Sequence, residues 1–257
     1  MIRHWRKLLF PAFGVVAFVA IACGQRPDLE TARKIQSAQE NFDKAETPEE
    51  YLRSAGIYQD VSKGITNGAV LYNQGNAFMR AGERGRAVAS YREAERYRPR
   101  DPYLQANLDF ARGTSERPRK SVFEHVVFWQ NWLSYPEKFT FLGTLGLATF
   151  ALGMLSLFDI GGVIVRRTAW AGLVVTCVLA VSATYDWYRF DYRDHGVVTA
   201  DEVVARKGNA ETYAPAFTDK LDEGTEFVLL DRRGDWLMIK LPGGPEGWIK
   251  DDSAVVY

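Results

Sequence analysis

The sequence predicts a multidomain chain in three parts: an α-helical repeat solenoid, a two-helix transmembrane hairpin and a C-terminal all-β barrel. Three observations carry this. A helical pattern of 34 residues runs from Gly68 to Asp101, uncharged apolar stretches fill 139–158 and 168–185, and short β-rich runs separated by turns follow His195. A chain of 257 residues has room for these parts. Its 32 Lys+Arg balance 32 Asp+Glu, and without a basic stripe no nucleic-acid partner is expected, because phosphate contacts dominate that affinity. The two cysteines, Cys23 and Cys177, lie within or at the end of apolar runs, which excludes a disulfide framework. The three histidines, His4, His125 and His195, are far apart, so neither a metal site nor a cofactor is expected.

The first element is an N-terminal signal over residues 1–22. Arg3, Arg6 and Lys7 form a basic n-region, and Leu8 to Ala22 is an uncharged run of signal-peptide rather than membrane-spanning length. The end of this run, Ala20-Ile21-Ala22-Cys23, resembles a bacterial lipobox, which makes Cys23 the expected lipidation site; a plain signal with an incidental cysteine is the alternative.

Residues 24–120 carry helix signals in succession. Asp28 is placed to cap a helix bearing Leu29, Ala32, Ile35 and Phe42. Thr47-Pro48-Glu49-Glu50 is a capping box with proline at the first helical position. From Gly68, the residues Leu71, Gly75, Phe78, Ala87, Tyr91, Ala94 and Pro99 fall at the positions that define the tetratricopeptide (TPR) pattern, which this stretch resembles. Small Gly75 and Ala87 let two antiparallel helices approach, Phe78 and Tyr91 fill the space between pairs, and Pro99 stops the second helix. Upstream, Ser54, Tyr58 and Val61 repeat the spacing of Ala87, Tyr91 and Ala94, and Pro102 to Arg112 supplies a capping helix.

A TPR stack has a concave groove lined by its first helices. Tyr72, Asn76, Met79 and Arg80 fall at groove-facing positions, with Asn107 on the capping helix, and these five are the candidate partner-binding residues. Asparagine offers both donors and an acceptor to an extended peptide, and equally to a neighbouring helix. The two-lysine clamp of some chaperone-binding TPRs is absent, with Tyr72 where one lysine would stand.

The segment 121–138 is expected to hold an interfacial helix, VFEHVVFWQNWL, before the first span, with His125 on its polar face. The spans at 139–158 and 168–185 are apolar all round, and aromatic residues flank them: Trp129, Trp132 and Tyr135 before, Trp187, Tyr188 and Tyr192 after. A basic n-region stays inside, so two further crossings leave both soluble parts outside, with the connector at Arg166-Arg167 inside. The expected location is the bacterial inner (cytoplasmic) membrane, with both soluble parts on its extracytoplasmic side.

Residues 195–257 read as five short strands, with candidates at Val203–Ala205, Glu226–Leu230, Trp236–Leu241 and Trp248–Lys250 separated by turns at Arg233-Gly234-Asp235 and Pro242 to Gly247. The series Glu223-Gly224-Thr225, Asp235-Trp236 and Gly247-Trp248-Ile249 resembles the bacterial SH3-like domain. Trp236 and Trp248 fit core anchors better than ligand platforms.

The order of these parts, with Asn73-Gln74-Gly75-Asn76-Ala77, Asn107-Leu108-Asp109-Phe110-Ala111 and the Gly247-Trp248 ending, resembles the BatE-type proteins of the bacterial aerotolerance (Bat) operon. The resemblance implies partners: membrane proteins with von Willebrand A domains and a MoxR-type ATPase system. No GxSxG, HExxH or P-loop is present, and Asp201-Glu202 and Asp251-Asp252 fit solvated acids. The expectation is a non-enzymatic membrane-anchored adaptor that binds protein partners through its groove. The alternative is a cell-wall sensor whose SH3-like domain binds peptidoglycan.

Overall fold

A computed structural model describes residues 27–113 and 128–257. The expected signal at 1–22, the lipobox Cys23, and His125 lie outside the described residues, as do 114–120 and 121–127 of the expected interfacial helix, of which Phe128–Asn131 forms a single 3-10 turn. The described residues form two compact units. One holds Leu133–Arg189, and the other joins Pro27–Trp132 to Phe190–Tyr257.

The larger unit begins with five α-helices: α1 (Leu29–Lys44), α2 (Pro48–Gly64), α3 (Gly68–Arg80), α4 (Arg84–Glu95) and α5 (Pro102–Arg112). Their starts follow the capping signals. Asp28 Oδ1 accepts from Thr31 N–H at 2.7 Å. At the start of α2, Thr47 and Glu50 exchange side-chain-to-backbone bonds in the predicted box. Asp101 accepts from the backbone of Tyr103 and Leu104, with Pro102 at the first helical position. Gly82, at φ +88°, makes the left-handed turn between α3 and α4.

Each of these helices packs on the next. Ala87 and Ala94 are fully buried, with Phe78 and Tyr91 beside them in one core, and Ala38, Tyr58, Val61 and Val70 form a second. Gly75 fits its sequence role: a Cβ there would lie 2.5 Å from the Tyr91 ring.

The same unit ends in an antiparallel sheet of five strands: β1 (His195–Val198), β2 (Glu226–Arg233), β3 (Trp236–Lys240), β4 (Glu246–Lys250) and β5 (Ala254–Val256), in the order β4-β3-β2-β1-β5. Gly196 stands opposite Phe227 and Val256, and Leu237 opposite Ile249. Its core is Val198, Ala205, Leu221, Phe227, Leu237, Ile239 and Ile249. The strand expected at Val203–Ala205 is absent. Val203 makes a single bridge to Leu221, and Arg206 exchanges two backbone bonds with Trp248 of β4, so this stretch pairs only at isolated points. Strands β1 and β5 were not foreseen: at four and three residues they are too short to carry an alternating pattern.

The helices and the sheet share a core. Val197 of β1 belongs to the helical cluster, and Val255 and Tyr257 pack against it. Strand β1 comes so close to the start of α4 that a Cβ on Gly85 would lie 2.4 Å from the Val198 carbonyl oxygen.

The smaller unit is a hairpin of α6 (Tyr135–Leu157) and α7 (Gly162–Trp187), both long and apolar enough to cross a membrane. Its boundaries correct the sequence reading. Helix α6 starts at Tyr135, taking in four residues assigned to the interfacial helix, because Ser134 and Glu137 cap it: Ser134 N–H donates to Glu137 Oε2 at 2.7 Å. The included charge, Lys138, is buried against Asp186 of α7 at 2.5 Å, which is how a lysine is accommodated in an apolar hairpin. Arg166 and Arg167 lie inside α7 and not in the connector, which is the short turn at Phe158–Gly161, where Asp159 and Gly161 adopt positive φ. Midway, Thr149 and Thr176 hydroxyls lie 3.4 Å apart, and a Cβ on Gly172 would meet Thr149, the small-residue packing of membrane helices.

Candidate functional site

Four of the five candidate residues lie on α3 and the fifth on α5. These two helices run parallel, because each is antiparallel to α4. Gly68 at the start of α3 meets Tyr97 beyond the end of α4, while Arg84 at the start of α4 bonds the Ala111 and Arg112 carbonyls at the end of α5.

The structure brings Tyr72, Asn76 and Asn107 together. Asn107 Nδ2 donates to Asn76 Oδ1 at 2.9 Å and to the Tyr72 hydroxyl at 3.0 Å, and the buried Tyr91 hydroxyl donates to the same Asn76 Oδ1 at 2.8 Å. Burial, with the nearby Tyr72, raises the Tyr91 phenol well above its usual range, so it stays a donor. This arrangement recurs one hairpin earlier. Tyr58 and Asn73 both donate to Gln39 Oε1, at 2.9 and 3.4 Å. In each case a tyrosine from one helix and an amide from the following repeat converge on one amide oxygen.

Of the two open readings of the asparagines, the helix-to-helix one holds for one polar atom of each. Asn76 Oδ1 and Asn107 Nδ2 are spent between helices. Among the described residues, Asn76 Nδ2 and Asn107 Oδ1 have no hydrogen-bond partner. A donor and an acceptor thus remain on two adjacent half-buried side chains, held in place by bonds to their other atoms. Arg98 lies over the Tyr72 ring, 5.1 Å from its centroid. Met79 is half-buried and packs against the core, while Arg80 is exposed, one turn beyond Asn76.

Sequence reasoning missed Gln39 and Asn73 as members of this ladder, and it missed the exposed aromatics Tyr103 and Phe110. The signal was available: 34 residues on from Asn73 and Asn76 stand Asn107 and Phe110.

A second polar cluster joins helices to sheet. Glu226 of β2 accepts from Arg112 Nε at 2.7 Å through one oxygen and from Arg92 Nη2 at 2.8 Å through the other, and Arg92 also pairs with Glu95. Burial works against the Glu226 carboxylate, yet Arg92 and Arg112 outweigh it and hold the carboxyl below its usual range. Glu223 accepts from the Gly85 N–H at 2.7 Å, at the start of α4, where no side chain of the helix itself caps the terminus. Burial raises the Glu223 carboxyl above its usual range, with the Gly85 bond opposing.

On the sheet, Trp248 is buried as a core anchor, whereas Trp236 is half-buried beside an open cleft lined by Glu211, Asp235, Lys250 and Asp252. Asp251 pairs with Arg232 and Glu202 with Lys220, as solvated acids do. Among the described residues no three His, Cys, Asp or Glu side chains are grouped to hold a metal ion. Compared with protein-family models, curated proteins and solved structures, the chain matches none.

Proposed function

We infer that the chain is a non-enzymatic, membrane-anchored adaptor that captures a protein partner in the groove between α3 and α5. The observation that carries this reading is the amide pair. Asn76 and Asn107 each spend one polar atom on holding the other in place and keep a donor and an acceptor spare, the complement of a peptide main chain. In this reading the helices are a short TPR solenoid, the sheet is an SH3-like barrel, and α6 and α7 cross the bacterial inner membrane with both soluble parts on its extracytoplasmic side. The resemblance to BatE-type proteins supplies the partner class, membrane proteins with von Willebrand A domains working with a MoxR-type ATPase system.

The test is co-purification from native membranes. The parent chain retains a partner, and the Asn76→Ala/Asn107→Ala double variant, folded by its melting curve, loses it. Retention of the same partner by the double variant refutes the groove as the capture site.

The cell-wall reading is favoured by one feature, the open cleft beside half-buried Trp236 on the sheet. Sedimentation with isolated peptidoglycan separates the two readings. The adaptor reading predicts that the chain stays in the supernatant, and binding abolished by Trp236→Ala supports the sensor instead.

A further inference from the structure

Strand β5 ends the sheet, and the described residues place no strand along its outer edge. The ladder fixes which backbone groups face that edge. His195 and Tyr257 exchange two backbone hydrogen bonds, and Thr199 N–H donates to the Ser253 carbonyl at 2.9 Å. Such bonding alternates along an antiparallel pair. Ser253, Val255 and Tyr257 therefore turn their polar backbone groups toward β1, while Ala254 and Val256 turn theirs away. The Ala254 N–H is taken by the Asp251 carbonyl. The Ala254 carbonyl, and both the N–H and the carbonyl of Val256, have no hydrogen-bond partner among the described residues. On β4, the strand at the other end of the sheet, Trp248 exchanges two backbone bonds with Arg206.

The free edge borders the open cleft beside Trp236, which Ala254, Val255 and Val256 all line. Val255 packs against the helical core and Val256 against the sheet core, so the three share one cleft through the strand's edge. The cleft is also acidic. Lys250 pairs with Glu211, and Arg232 with Asp251. Asp235 and Asp252, both exposed, have no ion pair among the described residues. The Asp235 carbonyl accepts from Asp251 N–H at 2.9 Å, so both unpaired carboxylates stand at the Ala254 end of the edge. Half-buried Trp236 offers a ring to the stem and charge of a basic side chain.

These features select one occupant. A helix bonds its own main chain internally and a simple amine has none, so neither matches the row of groups on Ala254 and Val256. An extended peptide does, and the two carboxylates call for positive charge at one end of it. We propose that the edge of β5 takes an extended, basic peptide of a protein partner as a sixth strand, with two cationic side chains beside Asp235 and Asp252. The added strand runs antiparallel, as every pair in the sheet does. One peptide residue exchanges two hydrogen bonds with Val256, and the residue two places on donates to the Ala254 carbonyl. This site is separate from the groove between α3 and α5 and needs neither Asn76 nor Asn107.

The probe is a fluorescent, end-blocked peptide, Thr-Val-Thr-Val-Thr-Lys-Lys, titrated onto the full chain in lipid nanodiscs and read by anisotropy. N-methylation of its three central residues removes main-chain donors while keeping both charges, and is expected to weaken binding by about tenfold or more. The Asp235→Asn/Asp252→Asn double variant, changed at exposed positions, is expected to weaken it by about fivefold and to erase the preference over a version with both lysines changed to glutamine. Bound probe is expected to slow hydrogen exchange across Ala254–Tyr257. No saturable binding of the probe, equal binding of the N-methylated version, or equal binding by the double variant overturns the proposal. Binding of soluble peptidoglycan fragments in the cleft, with none of the probe, overturns it in favour of the cell-wall reading.

Discussion

The backbone N–H of Gly85 donates to Glu223 Oε1 at 2.7 Å, joining residues 138 positions apart in the chain. A carboxylate from the turn before β2 thus caps the first turn of α4, where a negative charge is favoured by the helix dipole. The glycine is what permits it, because β1 passes where a side chain would stand. Gly85→Ala therefore inverts the usual effect of that change in a helix. Propensity alone would stabilise by up to about 1 kcal/mol, but the Cβ meets backbone at Val198, and we expect a net loss of roughly 1–3 kcal/mol. Chemical denaturation of the detergent-solubilised chain checks the sign.

Glu226 makes the joint between helices and sheet depend on pH. Its carboxyl is held below the usual range in the folded chain, so its contribution is present above the ordinary carboxylate pKa and is lost as pH falls through the depressed value. Glu223 works the other way. Raised by burial, it favours the folded state most when protonated, and that contribution is lost as pH rises through its raised value. Glu226→Gln should cost on the order of 3 kcal/mol near neutrality, since it leaves Arg92 and Arg112 buried without their shared counter-charge. It should also flatten the acid side of the stability profile, measured by melting temperature against pH.

Within the helical stack, packing and hydrogen bonding separate cleanly. Ala87 is fully buried, so Ala87→Leu overpacks the interface and should destabilise by roughly 1–3 kcal/mol. Tyr91→Phe removes only the hydroxyl that donates to Asn76, and should cost about 1 kcal/mol while loosening Asn76. Melting curves beside partner capture tell the two apart: Tyr91→Phe should lower capture more than its small stability loss accounts for.

Lys138 and Asp186 form a buried pair in the hairpin. Lys138→Met removes the buried cation paired with Asp186, and should destabilise the hairpin. Lys138→Met with Asp186→Leu should recover most of that loss. The readout is helix retention in a denaturing-detergent titration of the full chain.

How much of this was legible in the sequence depended on distance along the chain. The Thr47–Glu50 box and the Asp28 cap are contacts over three residues, and Gly75 against Tyr91 is a contact within one repeat at the spacing of the TPR pattern, so each leaves a local mark. Asn76 and Asn107 were found from the same register. Which of their atoms remain spare was not legible, since it depends on Tyr91 and Tyr72 converging in space. The joint left no mark at all: Gly85 reads as an ordinary helix residue, and Glu226 as a strand-end acid, until β1 is laid against α4. Lys138 misplaced the start of α6 because a charge ends an apolar window, and its partner Asp186 stands 48 residues away.

Capture of a partner in the groove held by Asn76 and Asn107 is read out by site-specific photo-crosslinking in native membranes. A photoreactive residue replaces Arg80, exposed at the groove, or Gln59, exposed on α2. A discrete protein adduct is expected from position 80, lost when Asn76 and Asn107 are changed to alanine, and none from position 59. No adduct from position 80, or one that survives the loss of both asparagines, would contradict it.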